Sequence, residues 1–285
     1  MSITGAARLA GVMGWPVAHS RSPALHAFWL AEHGIDGAYV PLAVQPEHLS
    51  RALKALPLLG FAGCNLTLPH KEAALEAVDE VDVSARRAGA VNTVIVLPNG
   101  TLRGSNTDGF GFLENLRAEV PGWSAASGPA VVLGAGGAAR AIAAALIDAG
   151  APEIRLINRT PARTAALAKR LGGAIRGVAW EDRGPALADA KLVVNATSLG
   201  MSGQPVLDLA LDALPRDAVV NDIVYVPLET ALLAAARRRG NPAVDGLGML
   251  LHQGRPGFAA WFGPLPEVTP RLRAAVLATF GPPAR

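Results

Sequence analysis

The stretch Ala130–Ala141, AVVLGAGGAARA, decides the fold. Its first four residues are a short apolar run, which suits a strand buried on both faces of a parallel sheet. Gly134, Gly136 and Ala139 follow at the spacing G-x-G-x-x-A. Between a strand and a helix, that spacing makes a dinucleotide-binding turn. The first glycine permits the tight turn. The second has no Cβ, so the backbone can approach a pyrophosphate. The third, small residue lets helix and strand pack closely. The freed N–H groups at the helix start then face the phosphates. The surroundings have the required form: a strand before, a helix predicted over 137–149, and Gly150 as its C-terminal stop.

On the C-terminal side of this turn, patterning predicts strands at 153–157, 174–178, 192–195 and 219–223. Helices are predicted at 161–171, capped by Thr160 and stopped by Gly172, and at 230–239. Alternation over short loops means a doubly wound parallel sheet. Helical patterns resume at 249–261 and 269–280. On the N-terminal side, 121–129 is a loop rich in Ser, Gly and Pro and a candidate boundary, and a helix leads out from about Gly109. The first third reads as strand 9–13, then a helix with Ser22 as cap, Pro23 at its first position and Gly34 at its end. Strand 39–42, helix 46–55, strand 63–66 and a helix beginning at 71–78 come next. Residues 91–104 read as two strands around the turn Asn99-Gly100. This predicts a mostly parallel sheet with one antiparallel hairpin. The expectation is an α/β chain of two domains. One is an N-terminal, mostly parallel α/β substrate domain of residues 1–110, completed by helices over 246–285. The other is a Rossmann-type nucleotide-binding domain of residues 111–245.

Composition narrows the function classes. The 285 residues are 51% hydrophobic and 17% charged, with a net charge of +3, enough for a sizeable core and short of a basic footprint. The basic run Arg237–Arg239 precedes Gly240 and reads as a helix C-terminus complementing its dipole. Aromatics are sparse, so no nucleic-acid partner is expected. Cys64 is the one cysteine, which excludes an internal disulfide and fits a reducing cytoplasm. The six histidines show no H-E-x-x-H spacing, and no metal is expected. The opening apolar run is broken by Gly11, Gly14 and Pro16, and reads as a core strand rather than a leader. The uncharged run 120–139 carries two prolines and five glycines, so it is not a membrane span. A cytoplasmic monomer or homodimer is expected.

The next strand carries a second nucleotide signal. A cofactor with a free ribose 2′-hydroxyl meets an Asp or Glu about 20 residues after the glycines. Here the strand ends in Asn158-Arg159-Thr160, followed by Arg163. There is no carboxylate, and two guanidinium groups flank the place. A 2′-phosphate needs cationic, bidentate partners, so NADP is favoured over NAD.

The first domain holds a separate set of polar residues. His19-Ser20-Arg21-Ser22-Pro23 places two hydroxyls in a strand-to-helix loop. Asn65-Leu66-Thr67-Leu68-Pro69-His70-Lys71 puts Asn65, Thr67 and Lys71 at the C-terminal end of a strand, where open α/β sheets bind ligands. Asn92 stands at a strand start, and Asp108 stands before a helix. Taken singly, Ser22 and Asp108 read as helix caps and Lys71 as an exposed helix lysine. Lysine is scarce here: Lys54, Lys71, Lys169 and Lys191 are all there are, against many arginines.

Together these segments resemble the shikimate dehydrogenase family. SRSP, NLTLPHK, AVNT, NTDG, GAGGAAR, NRTPAR, NATSLGM, DIVYVP and DGLGMLLHQ occur in that family's order and spacing, from about residue 14 to residue 263. The resemblance implies two α/β domains with a cleft between them and NADP-dependent reduction of 3-dehydroshikimate to shikimate in aromatic amino-acid biosynthesis. It implies Lys71 and Asp108 as the catalytic pair. Ser20, Ser22, Asn65, Thr67, Asn92, Tyr225 and Gln253 become contacts to a small hydroxylated carboxylate. The implied pyrophosphate loop is Gly134, Gly136, Gly137, Ala138 and Arg140. Asn158, Arg159, Thr160 and Arg163 would meet the adenosine phosphate, and Gly246 and Met249 the nicotinamide end. Two places depart from the family pattern. Thr230-Ala231 stands where Thr-Pro is common, and Gly254-Arg255-Pro256-Gly257 interrupts a helix that is usually alanine-rich, just after Gln253. The alternatives are a quinate/shikimate dehydrogenase with broader substrate or NAD use, and a nucleotide-sensing relative without catalysis. The presence of both Lys71 and Asp108 argues against the second.

Overall fold

The structure, a computed structural model, describes residues 3–280. It divides into two compact units, Met1–Thr107 with Leu251–Arg285, and Asp108–Leu250.

The first unit is built from β1 (Arg8–Gly14), α1 (Ser22–Glu32), β2 (Gly37–Ala43), α2 (Leu49–Ala55), β3 (Phe61–Leu66), α3 (Ala74–Ala77), β4 (Glu80–Val81), α4 (Val83–Ala88), β5 (Thr93–Val96) and β6 (Leu102–Ser105). Its sheet has the order β2-β1-β3-β5-β6-β4. β1 pairs parallel with β2 and β3, and β4 with β6. β5 pairs antiparallel with both β3 and β6, so it alone runs against the others. The mostly parallel sheet and its hairpin thus appear as expected, with β4 added at the edge. A two-residue strand leaves no periodic signal to read.

Two local expectations are corrected in this unit. Ser22 is the first helical residue of α1, not its cap; Arg21 holds the cap position and makes no side-chain cap bond. Ser20 Oγ instead accepts from the Ser22 N–H at 3.3 Å. The helix expected from Lys71 begins only at Ala74, because turns fill the segment after Pro69.

The second unit holds α5 (Asp108–Glu119), β7 (Ala130–Leu133), α6 (Gly137–Asp148), β8 (Ile154–Ile157), α7 (Pro161–Leu171), β9 (Ile175–Val178), β10 (Leu192–Asn195), β11 (Val219–Asp222), α8 (Ala231–Arg239) and β12 (Ala243–Val244). All strands pair parallel, in the order β12-β11-β10-β7-β8-β9. Counted from β7 this is the Rossmann order 3-2-1-4-5-6, with the strand order reversing between β7 and β10. The central strands are buried on both faces. Ala130 and Val132 of β7 join Ile142, Leu146 and Leu156 in one cluster, while Val131 and Leu133 join Val193, Leu232 and Leu233 in another. That is why β7 reads as an unbroken apolar run.

The chain ends in α9 (Leu247–Phe262) and α10 (Pro270–Leu277). α9 is continuous in spite of Pro256, which lies inside it. The glycines around that proline are small for packing reasons. A Cβ at Gly254 would meet Leu25 at 3.0 Å and Trp29 at 3.2 Å, and one at Gly257 would meet Trp261 at 2.8 Å. Trp29 and Phe258 pack edge to face at 5.3 Å, and the Trp261 indole N–H donates to the Val94 carbonyl at 3.0 Å. This aromatic layer seats α9 on the sheet of the first unit.

Candidate functional site

In the first unit the polar residues singled out by the sequence gather at the C-terminal ends of β1 and β3 and the start of β5. Asn65 is the penultimate residue of β3 and is buried. Its Nδ2 donates to the Asn92 carbonyl and to Thr93 Oγ1, both at 3.1 Å. Asn92, 2% exposed, accepts at Oδ1 from the Thr107 N–H at 2.9 Å and from Thr93 Oγ1 at 2.9 Å. Thr107 Oγ1 lies 3.5 Å from Oε1 of Gln253, which α9 holds in a buried position. Asn65, Asn92 and Gln253 therefore belong to one connected cluster. Thr67 is tied at its backbone: its N–H donates to the Met13 carbonyl at 2.9 Å, and its own carbonyl accepts from the His70 N–H at 2.9 Å.

Lys71 is half-buried, and its carbonyl accepts from the Val91 N–H at 2.8 Å, which docks the lysine turn against the residue before Asn92. The preceding His70 is 1% exposed, and its Nε2 meets the Val44 carbonyl at 2.8 Å. Burial holds the His70 pKa below its ordinary value, so the ring stays neutral and tethers the turn as an Nε2–H donor.

Three members of this network were absent from the sequence reading: Tyr39, Thr93 and Thr107. The Tyr39 hydroxyl donates to Asn65 Oδ1 at 2.6 Å. Thr93 and Thr107 stand inside the segments AVNT and NTDG, next to Asn92 and Asp108. Tyr39 carried no signal beyond a strand position.

In the second unit, Gly134 has φ +113°, and a Cβ there would meet the Ala196 carbonyl oxygen at 2.8 Å. Glycine is therefore required after β7. Gly136 caps α6 with no side-chain bond, and a Cβ there would meet nothing within 4 Å. Gly137 and Ala138 are the first two residues of α6, and Arg140 follows, half-buried, in the same first turn. This is an anion cradle at a helix N-terminus. At the end of β8, Asn158 Nδ2 donates to the Thr160 carbonyl at 3.1 Å. Thr160 caps α7 by position only, without the expected side-chain bond.

Arg159 and Arg163 are exposed and form no ion pair among the described residues. Arg155, two residues inside β8, is committed: Nη2 lies 3.0 Å from Glu153 and 3.0 Å from Asp189. The uncommitted guanidinium groups and the open cradle fit a dinucleotide that bears a further phosphate.

Asp108 is the first residue of α5 and is buried. Tyr225 is half-buried in the loop after β11. Asp222 anchors that loop, a residue the sequence reading quoted without a role. It is fully buried and accepts from Asn195 Nδ2 at 3.0 Å, the Val224 N–H at 3.0 Å and Thr230 Oγ1 at 2.7 Å. Burial raises its pKa above the usual carboxylate value, and these hydrogen bonds oppose the shift. Thr230 also caps α8 by accepting from the Leu233 N–H, so the missing proline at Ala231 leaves the helix start intact. Gly246 is fixed by close approach, since a Cβ there would stand 2.2 Å from the Ile223 carbonyl oxygen. Met249 is 8% exposed and packs with the α5–α6 core cluster. Among the described residues no group of His, Cys, Asp and Glu side chains could hold a metal ion. No described helix is long and apolar enough to cross a membrane.

Comparison with known proteins agrees with this construction. Residues 12–94 match the family model of the shikimate dehydrogenase substrate binding domain, and residues 118–208 match that of shikimate / quinate 5-dehydrogenase. The shikimate dehydrogenase (NADP(+)) of Paramagnetospirillum magneticum is 62% identical over 276 residues, covering 97% of this chain and 100% of that protein. The crystal structure of shikimate 5-dehydrogenase from Thermus thermophilus in complex with NADP(H) and shikimate has a TM-score of 0.85 and 42% identity, over 95% of this chain and 99% of that one. Quinate dehydrogenase from Corynebacterium glutamicum in complex with NAD has a TM-score of 0.88 at 34% identity, over 95% of this chain and 99% of that one. With its amide and hydroxyl cluster in one unit and its dinucleotide cradle in the other, this chain belongs to the shikimate dehydrogenase family.

Proposed function

We propose that this protein is an NADP-dependent dehydrogenase that interconverts 3-dehydroshikimate and shikimate, on the route to chorismate and the aromatic amino acids. One observation carries the reading: Asn65, Asn92, Thr107 and Gln253 converge as a buried polar cluster in the unit that also holds Lys71. Such a cluster selects a small polyhydroxylated acid by directional hydrogen bonds. An analogue lacking one hydroxyl leaves a buried polar group unpaired and is rejected.

Reducing a ketone to a secondary alcohol requires a hydride at carbon and a proton at oxygen. When bound, the nicotinamide supplies that hydride. Lys71 supplies the proton from its ammonium group and recovers it in the reverse direction. Arginine could not, because a guanidinium does not release its proton at working pH. Asp108 orients Lys71 and accepts from a substrate hydroxyl. Ser20, Ser22, Asn65, Thr67, Asn92 and Gln253 hold the substrate, with Tyr225 near its carboxylate. Gly134, Gly136, Gly137, Ala138 and Arg140 take the pyrophosphate. Asn158, Arg159, Thr160 and Arg163 take the 2′-phosphate, and Gly246 and Met249 the nicotinamide end. The protein works in the cytoplasm, as a monomer or homodimer.

The test follows NADPH and NADH absorbance with 3-dehydroshikimate and with 3-dehydroquinate. Oxidation of NADPH by 3-dehydroshikimate is expected. No oxidation of either cofactor by either acid would end the enzyme reading, and faster turnover of 3-dehydroquinate would make quinate the substrate.

A further inference from the structure

A carboxamide has an acceptor end and a donor end, and its sense decides what it offers a ligand. The sense of Asn65 is fixed by its neighbours. Its Nδ2 gives one proton to the Asn92 carbonyl and the other to Thr93 Oγ1. A flipped amide would set Oδ1 against that carbonyl oxygen, acceptor to acceptor. Oδ1 therefore faces Tyr39, whose hydroxyl donates to it at 2.6 Å. With both Nδ2 protons committed inside the protein, the second lone pair of Oδ1 is what Asn65 can still offer.

Thr93 passes this sense onward. Its Oγ1 accepts from Asn65 and donates to Asn92 Oδ1 at 2.9 Å. The Thr107 N–H donates to the same oxygen at 2.9 Å. Any hydrogen bond from Asn92 to a ligand is thus donated by Nδ2.

Tyr39 heads the chain. It is 7% exposed, and its ring lies flat on His26 at 3.9 Å with 5° between the planes. Burial pushes the phenol pKa well above its ordinary value. It therefore remains a hydroxyl donor throughout the working pH range.

We propose that Tyr39 is a positioning residue for substrate recognition: by donating to Asn65 Oδ1 it sets Asn65 as an acceptor for a substrate hydroxyl and, through Thr93, Asn92 as a donor. The proposal rests on the reading of Asn65 and Asn92 as substrate contacts given above.

Tyr39→Phe removes the hydroxyl and keeps the ring on His26. The shikimate KM is expected to rise about three- to tenfold, the worth of one hydrogen bond, while kcat and the NADP KM stay near the unmodified values. A purely structural residue would lower the melting temperature and leave the shikimate KM alone. Asn65→Ser completes a double-substitution cycle, in which Tyr39→Phe adds nothing once Asn65 is gone. An unchanged shikimate KM in Tyr39→Phe overturns the proposal, and so do two penalties that multiply in the double variant. Should Tyr39→Phe misfold, Thr93→Val cuts the same chain one step on and is held to the same KM criterion. A shikimate KM unmoved by Asn65→Ser removes the substrate role of Asn65 and the proposal with it. Absence of shikimate turnover in the unmodified protein ends the functional reading itself, and this proposal falls with it.

Discussion

His26 gives the most quantitative prediction. It is fully buried, and neither ring nitrogen has a hydrogen-bond partner. Tyr39 stacks on one face at 3.9 Å, Trp29 stands edge-on at 5.5 Å, and Phe258 and Trp261 lie within 5.8 Å. An imidazolium here would have no water and no anion, and burial lowers the pKa from 6.5 to about 3. The sign follows from proton counts. Between those two values the unfolded chain binds a proton at this ring and the folded chain does not, so stability falls as pH falls. Each pH unit costs about 1.4 kcal/mol. At about pH 4.5, two units below the unfolded value of 6.5, the loss is about 3 kcal/mol relative to pH 7. His26→Leu removes the titrating group and keeps an apolar side chain of similar size. Urea unfolding of both proteins at about pH 7 and about pH 4.5 gives four free energies. The unmodified protein is expected to lose about 3 kcal/mol more than the variant over this interval. Any constant packing cost of the leucine cancels in the difference, as does the contribution of His70, whose lowered pKa acts in the same direction in both proteins. Parallel pH dependence in the two proteins would refute the reasoning and require a proton site or water at His26.

Three further outcomes test the site. Lys71→Ala is expected to lower kcat by about 10²–10⁴-fold, the usual worth of general acid–base catalysis, with NADPH binding by fluorescence retained; normal turnover would take Lys71 out of the mechanism. Arg159→Ala removes an exposed guanidinium that forms no ion pair among the described residues. It should raise the KM for NADPH and leave that for NADH almost unchanged, and an equal effect on both would contradict a 2′-phosphate contact. Gly134→Ala places a Cβ 2.8 Å from the Ala196 carbonyl oxygen at φ +113°. It should cost more than about 1 kcal/mol in thermal unfolding and weaken binding of NADP and NAD alike; an unaltered melting temperature and affinity would mean that the turn relaxes at no cost.

The sequence determined the elements whose physics is local. Residues 130–139 fixed the Rossmann turn because a tight strand-to-helix turn demands glycine wherever it occurs, and Gly134 has the positive φ that demand implies. The parallel alternation was legible because β7 and β10 are buried on both faces and so read as unbroken apolar runs. The absence of a carboxylate after β8 and the presence of Arg159 and Arg163 needed nothing beyond their order along the chain. Tertiary structure decided whatever depends on which side chains meet. Ser22 looked like a helix cap from its neighbour Pro23, yet it is the first residue of α1 and its own N–H donates to Ser20 Oγ. Gly254 and Gly257 read as a break in α9 and prove to be clearance for Trp29 and Trp261. The donor and acceptor sense of Asn65 could not be read at all, since it is set by Tyr39 in β2, Thr93 in β5 and Asn92 just before β5. Backbone conformation is dictated by neighbours a few residues away, whereas the polarity of a buried amide is dictated by partners that only the folded chain brings within about 3 Å.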